Sequence, residues 1–248
     1  MTMIPSDHER LIDALCKLDP KPPLEAGASA KKGYSELMSA ALAQVIAESL
    51  RNRGLGEARP YPGNRGTSGS ERRMAGGIGD KKVDVTWATE ESGLLIAFSV
   101  KCINFADRRS RNYQKNFTNR RGDMLFEAVT LHRRFPYATL VGIFVFDNGA
   151  QFDGTERRAS TIENAHRGLR LFTGRDDPAG RDEQYEKFYL GLVSASAERS
   201  EMSFARAGEP ESELALDEVI TEALGTVAER NGDAYDYDGH GLSLRRSR

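Results

Sequence analysis

The sequence predicts an α/β fold, a mixed β-sheet flanked by helices. Three observations carry this. Leu94–Lys101 and Tyr137–Phe146 are nearly continuous apolar runs of strand length, the pattern of strands buried on both faces. Tyr34–Arg53 and Leu214–Arg230 repeat apolar residues at helical spacing. Helix and strand signals follow one another as α-β-β-β-α-β up to Phe146, and the last helix–strand step has the short connection of a crossover.

The chain has 248 residues, 39% apolar and 29% charged, which is ordinary for a globular protein. Its formal net charge is −2, so any surface for nucleic acid has to be local. Cys16 and Cys102 lie far apart, form no metal-ligand cluster and suit a reducing cytoplasm. The first residues lack an apolar signal core, and no run of about 18 apolar residues could span a bilayer. The expectation is a cytoplasmic protein with no membrane partner.

In chain order, residues 5–18 read as a short amphipathic helix ended by Pro20, Pro22 and Pro23, and residues 20–33 as a linker. Residues 1–33 are thus expected as a helical arm and linker, 34–195 as the core, and 196–248 as a C-terminal helix and tail extension. In the helix Tyr34–Arg53, Ser35 is the expected N-cap and Gly54 the stop. Glu36 then falls in the first turn, where a carboxylate complements the helix dipole. Residues 54–82 are rich in Gly, Pro, Ser and Arg: a short edge strand near Arg59–Gly63, then a mobile loop over 64–79. Arg65, Arg72 and Arg73 of this stretch are either phosphate contacts or solvated charges.

Val83–Trp87, a polar turn at Glu90–Gly93 and Leu94–Lys101 read as a hairpin. It carries Asp84 within its first strand and Lys101 near the end of its second. Charges enter such a setting when they are paired or bind a metal. Asp107–Arg121 follows, with six basic residues (Arg108, Arg109, Arg111, Lys115, Arg120 and Arg121) against Asp107 alone. Tyr113, Phe117 and several amides are interleaved, a composition that suits phosphates and exposed bases better than a plain solvated loop.

Asn119–Phe135 is the next helix, with Asp123 and Glu127 sharing one face at i, i+4. Either Arg120 or Arg134 compensates them, or this face looks toward the end of the second hairpin strand. His132 is expected as a surface or packing residue. Pro136 ends the helix before the strand Tyr137–Phe146. Thr155–Thr173 reads as a helix whose Arg157, Arg158, Arg167 and Arg170 are solvated, and His166 has no Cys or His partner for a metal. Then come a polar loop (Arg175–Glu186), a strand (Phe188–Ala195), a polar acidic stretch (Ser196–Glu213), the helix Leu214–Arg230, and a tail from Asn231 expected to be mobile or to contact partners.

Asp84 followed on the next strand by Ser99-Val100-Lys101 resembles the core of the PD-(D/E)XK nuclease superfamily, where an acidic residue stands at the serine's place. The match covers residues 34–147. The resemblance implies a restriction-endonuclease-like sheet with an α-β-β-β-α-β core, here with C-terminal strand and helix additions. It implies a Mg²⁺-dependent endonuclease, with Mn²⁺ able to substitute, acting on double-stranded DNA in a restriction or anti-phage defence system. Asp84 becomes the central metal ligand, the Val100 backbone carbonyl the next, and Glu127 or Asp123 the replacement for the missing carboxylate, Glu127 being preferred for its reach. Lys101 orients or deprotonates the attacking water, Ser99 bonds a metal-bound water, and Glu36 is an outer support. A homodimer, or a subunit of a larger defence complex, follows from the lack of a separate base-reading domain. The rival is a catalytically inactive nuclease fold in which Asp84 and Lys101 form a buried ion pair, leaving DNA binding or an assembly role. The sequence carries no phosphate-binding Gly-Lys loop, zinc-ligand spacing or nucleophile-elbow serine.

Overall fold

The computed structural model describes residues 5–62, 72–195 and 199–245. Helix α1 spans Asp7–Cys16, where Ser6 and Glu9 form a capping box, and α2 spans Ala28–Asn52. Helix α2 therefore starts a full turn and more before Ser35, which is not its N-cap. Strands β1 (Arg72–Ala75) and β2 (Asp80–Val83) form a separate antiparallel hairpin where a loop was expected. Strand β3 (Val85–Thr89) then pairs antiparallel with β4 (Gly93–Ile103). Asp84 sits in the bend between β2 and β3, not inside a strand.

Helix α3 (Gln114–His132) connects β4 to β5 (Thr139–Asp147), and α4 (Thr161–Leu169) leads from β5 to β6 (Lys187–Ala195). Strands β4, β5 and β6 are mutually parallel. Helix α4 is shorter than its pattern predicted: Ser160 caps it through a capping box, and Arg157 and Arg158 lie before it. The stretch expected as a polar connection forms two more strands, β7 (Ser200–Arg206) and β8 (Glu209–Leu214). They extend the sheet antiparallel to the order β3-β4-β5-β6-β7-β8, a six-stranded mixed sheet. Helix α5 (Leu216–Arg230) follows, and the tail returns as a small hairpin, β9 (Tyr235–Tyr237) with β10 (Leu242–Leu244).

Helices flank the sheet on both faces. One apolar core joins α1, α2 and α5 to Ile96, Phe98 and Val100 of β4 and to Val141, Ile143 and Val145 of β5. The other joins α3, α4 and the β1–β2 hairpin to the alternate residues of the same strands, among them Ala97, Ile103, Phe144 and Phe146. The tail is tied down rather than loose: Tyr235 packs edge-on against Trp87 and the Leu242 amide donates to the Arg53 carbonyl. The β1–β2 turn sits directly on α3, with the Gly77 amide donating to the Thr130 carbonyl at 2.8 Å. A Cβ on Gly76 would lie 2.5 Å from that same carbonyl oxygen, so the hairpin docks because glycine is there. No helix among the described residues is long and apolar enough to cross a membrane.

Candidate active site

Alternation along β4 sends Val100 into the α2 side of the sheet and Ser99 and Lys101 toward the α3 side. The bend after β2 brings Asp84 across the strand. Its Oδ2 accepts the Val100 amide at 2.7 Å and the Lys101 ammonium at 3.3 Å. Among the described residues its Oδ1 accepts no side-chain or backbone hydrogen bond. Behind Lys101, the Ser99 hydroxyl donates to Glu127 of α3. Glu127 lies one helical turn beyond Asp123 and is 6% exposed. The Tyr185 hydroxyl, fully buried, donates to the Met124 carbonyl on the same helix.

Asp84, Val100 and Lys101 line a cavity of about 460 Å³. Its opposite wall is a stripe of α2 (Lys32, Ser35, Glu36, Ser39, Ala40 and Ala43), and Lys82, Cys102 and Arg120 complete it. The stripe follows helical spacing and consists of small or polar residues, which leaves space over the strand. Ser99 and Glu127 lie outside this lining, as a pair beneath it.

The charges depend on one another. Burial opposes the charge on Lys101, but the Asp84 and Glu127 carboxylates and the Asp84 hydrogen bond outweigh it, and the ammonium titrates above its ordinary value. Burial pushes the Glu127 carboxyl above the usual range, with Lys101 and Ser99 pulling the other way. Burial also raises the Cys102 thiol to about 12, so it is not a nucleophile at neutral pH.

The other expected site residues are scattered more widely. Glu36 lies on the cavity wall, but more than two turns into α2, so dipole compensation is not its role; it pairs with Lys32 at 3.6 Å. Asp123 is exposed, pairs with Arg120 at 3.6 Å, and faces an adjoining cavity. Arg65 lies outside the described residues, and Arg72 is in β1. Arg73 pairs with Asp80. The basic segment is half helix, because α3 begins at Gln114. Arg108 is spent on the chain itself: its guanidinium donates to the carbonyls of Leu24, Glu25 and Ala26, fastening the linker to the loop. Tyr113 is buried and donates to Asp147 Oδ1 at 2.8 Å, so it is a packing residue and not a base-stacking one. Lys115 pairs loosely with Asp107 at 3.8 Å, and Arg121 stacks over Phe117 at 5.7 Å. Arg109, Arg111 and Arg120 are exposed. His132 is fully buried, with Nε2 3.2 Å from Glu186.

Sequence reasoning missed Lys82, Ser35 and Ser39 on the cavity wall. Lys82 belongs to β2, two residues before the bend that carries Asp84. The two serines lie at i, i+4 within the α2 stripe.

Among the described residues, no three His, Cys, Asp or Glu side chains come together as a ready metal cage. The donors at hand are the Asp84 carboxylate, a backbone strand end and the buried Glu127 carboxyl. Mg²⁺ binds through one or two carboxylates while keeping waters and substrate oxygens, so this donor set fits that ion. No known protein family, curated protein or solved structure matches the chain.

Proposed function

We propose that this protein is a Mg²⁺-dependent endonuclease that hydrolyses double-stranded DNA, built on a restriction-endonuclease-like variant of its α/β sheet. The observation that supports this reading is the convergence of Asp84, Lys101 and a helix carboxylate at one strand end beside an open cavity. Serine at position 99 removes the carboxylate of the usual pattern, and the same serine bonds Glu127. Asp84 and Glu127 would hold the ion, with the Val100 carbonyl as a third donor. When bound, Mg²⁺ polarises the phosphoryl oxygen and lowers the pKa of water.

The chain's own residues have separable tasks. Lys101 stays cationic between two carboxylates and stabilises charge developing on the phosphate. Ser99 orients the Glu127 carboxyl. The α2 stripe leaves room for a phosphodiester, and exposed Arg109, Arg111 and Arg120 hold neighbouring phosphates. A role in restriction or anti-phage defence, as a homodimer or within a larger complex, belongs to the same proposal.

The Asp84–Lys101 ion pair also favours a second reading, a fold that binds DNA without cutting it. Lys101→Ala separates the two. On the nuclease reading it abolishes Mg²⁺-dependent cleavage while circular dichroism and DNA binding persist. DNA shifted in a gel but left intact by the wild type under every metal tried would establish the second reading.

A further inference from the structure

The cavity at Asp84 and Lys101 continues into a second one of about 320 Å³, the two sharing Ser35, Cys102 and Arg120. The second cavity lies between the end of β4 and the first turns of α3. Asn104 stands in it at 2% exposure. Its Nδ2 donates to the Ser35 hydroxyl at 3.2 Å, while its Oδ1 has no hydrogen-bond partner. A buried amide oxygen left unpaired is costly, and native structures give such groups a partner. The space is far larger than the roughly 30 Å³ share of one water.

The surrounding chemistry narrows what fits. Ile103 and Phe105 supply an apolar wall, and Asn116 and Asn119 supply amides. Asn116 donates through Nδ2 to the Phe105 carbonyl, which leaves its own oxygen. The single cation, Arg120, sits at the rim shared with the phosphate site and pairs there with Asp123, so the rest of this cavity is lined by neutral groups. A neutral planar ring with hydrogen-bonding edges matches this lining. The exposed Asn116 oxygen and the buried, unpaired Asn104 oxygen are both acceptors, so the edge that meets this lining has to donate.

We infer that this amide-lined end of the groove is a subsite for a nucleobase with an amino group at the position where thymine and guanine carry a carbonyl, adenine through N6 or cytosine through N4, flanking the phosphate held at Asp84 and Lys101. Asn104 is three residue steps beyond Lys101, about 10 Å of extended chain, which is within reach of an adjacent nucleotide. A thymine presents a carbonyl where the amino group would be and leaves Asn104 unpaired against a second acceptor. The inference rests on the nuclease reading for the phosphate site, but the base subsite is measurable without cleavage.

The test is an NMR titration of the intact protein, following asparagine side-chain amides, with the 5′-monophosphates of deoxyadenosine, deoxycytidine and thymidine. Deoxyadenosine and deoxycytidine monophosphates are expected to shift the Asn104 and Asn119 amides and to bind about tenfold tighter than thymidine monophosphate. Asn104→Leu removes the difference. Asn119→Ala, an exposed and structurally mild change, weakens the two preferred nucleotides alone. Equal affinity for all three, or no shift at Asn104, overturns the subsite and marks the orphan oxygen as a water site. Metal-dependent cleavage of DNA is measured in parallel. Cleavage without base preference leaves the nuclease and removes the subsite; base preference without cleavage does the reverse.

Discussion

Exchanging Ser99 and Glu127 puts the missing carboxylate back on the strand and moves the hydroxyl to the helix. Ser99→Glu alone sets a second carboxylate against Glu127 at a position 2% exposed. An uncompensated buried charge costs about 3–5 kcal/mol. For a chain of this size about 1 kcal/mol moves the melting temperature by 2–4 °C, so the single variant should melt roughly 6–20 °C lower. Glu127→Ser alone leaves two hydroxyls and deprives Lys101 of one of its two anions. The expected loss is about 1–3 kcal/mol, or roughly 2–12 °C. In the double variant one hydroxyl again meets one carboxyl across the same gap, and at least about 2 kcal/mol of the summed loss should return, within the range of coupling for touching residues. Melting is followed by circular dichroism in EDTA, and plasmid cleavage in Mg²⁺. The double variant should also cut better than either single. Purely additive losses, with all three variants equally inactive, would refute the idea that Glu127 stands in for a carboxylate at position 99.

Three further outcomes follow from the same geometry. Glu127 titrates above its ordinary 4.5 in the fold, so its protonation favours folding; that contribution is complete below about pH 4.5 and is lost as pH rises through the folded value. The stability of wild type relative to Glu127→Gln, measured in EDTA, should therefore fall with rising pH, and a difference that grows would contradict the burial argument. Glu186→Gln leaves the buried guanidinium groups of Arg175 and Arg230 without the carboxylate they share, at 3.1 and 2.8 Å, and should cost about 3–5 kcal/mol while cleavage persists below the melting range; a shift under about 2 °C would mean the cluster is not held by that charge. Arg109→Glu with Arg120→Glu should weaken DNA binding and flatten its salt dependence, whereas Arg108→Ala should mainly loosen the linker it holds; equal effects on affinity would return Arg108 to the DNA surface.

The parts of the fold that were legible in the sequence are those where burial writes a strong pattern. Strands β4 and β5 are buried on both faces and read as apolar runs, and α5 carries a regular apolar stripe. Strands β7 and β8 escaped because they lie toward one edge of the sheet, where polar residues alternate with Met202 and Phe204. The first turns of α2 and α3 escaped for another reason: Ala28–Gly33 and Gln114–Asn116 offer little apolar periodicity, and α3 is anchored there by buried Phe117. In the site, the proximity of Asp84 to Lys101 follows from hairpin logic alone. The Ser99–Glu127 contact was a matter of helix phase, which sequence could only offer beside Asp123 as an alternative. Asn104 gave no signal, since an asparagine after a strand reads as a turn residue. Arg108 and Tyr113 looked like nucleic-acid contacts because composition does not reveal that one grips backbone carbonyls and the other is buried.

The most direct measurement is cleavage of plasmid and phage DNA in Mg²⁺ or Mn²⁺, wild type beside Asp84→Ala, with both folded by circular dichroism. Cutting by the wild type is expected, with none by the variant and none by either protein in EDTA. Equal metal-dependent cutting by the two proteins would contradict the placement of the site at Asp84.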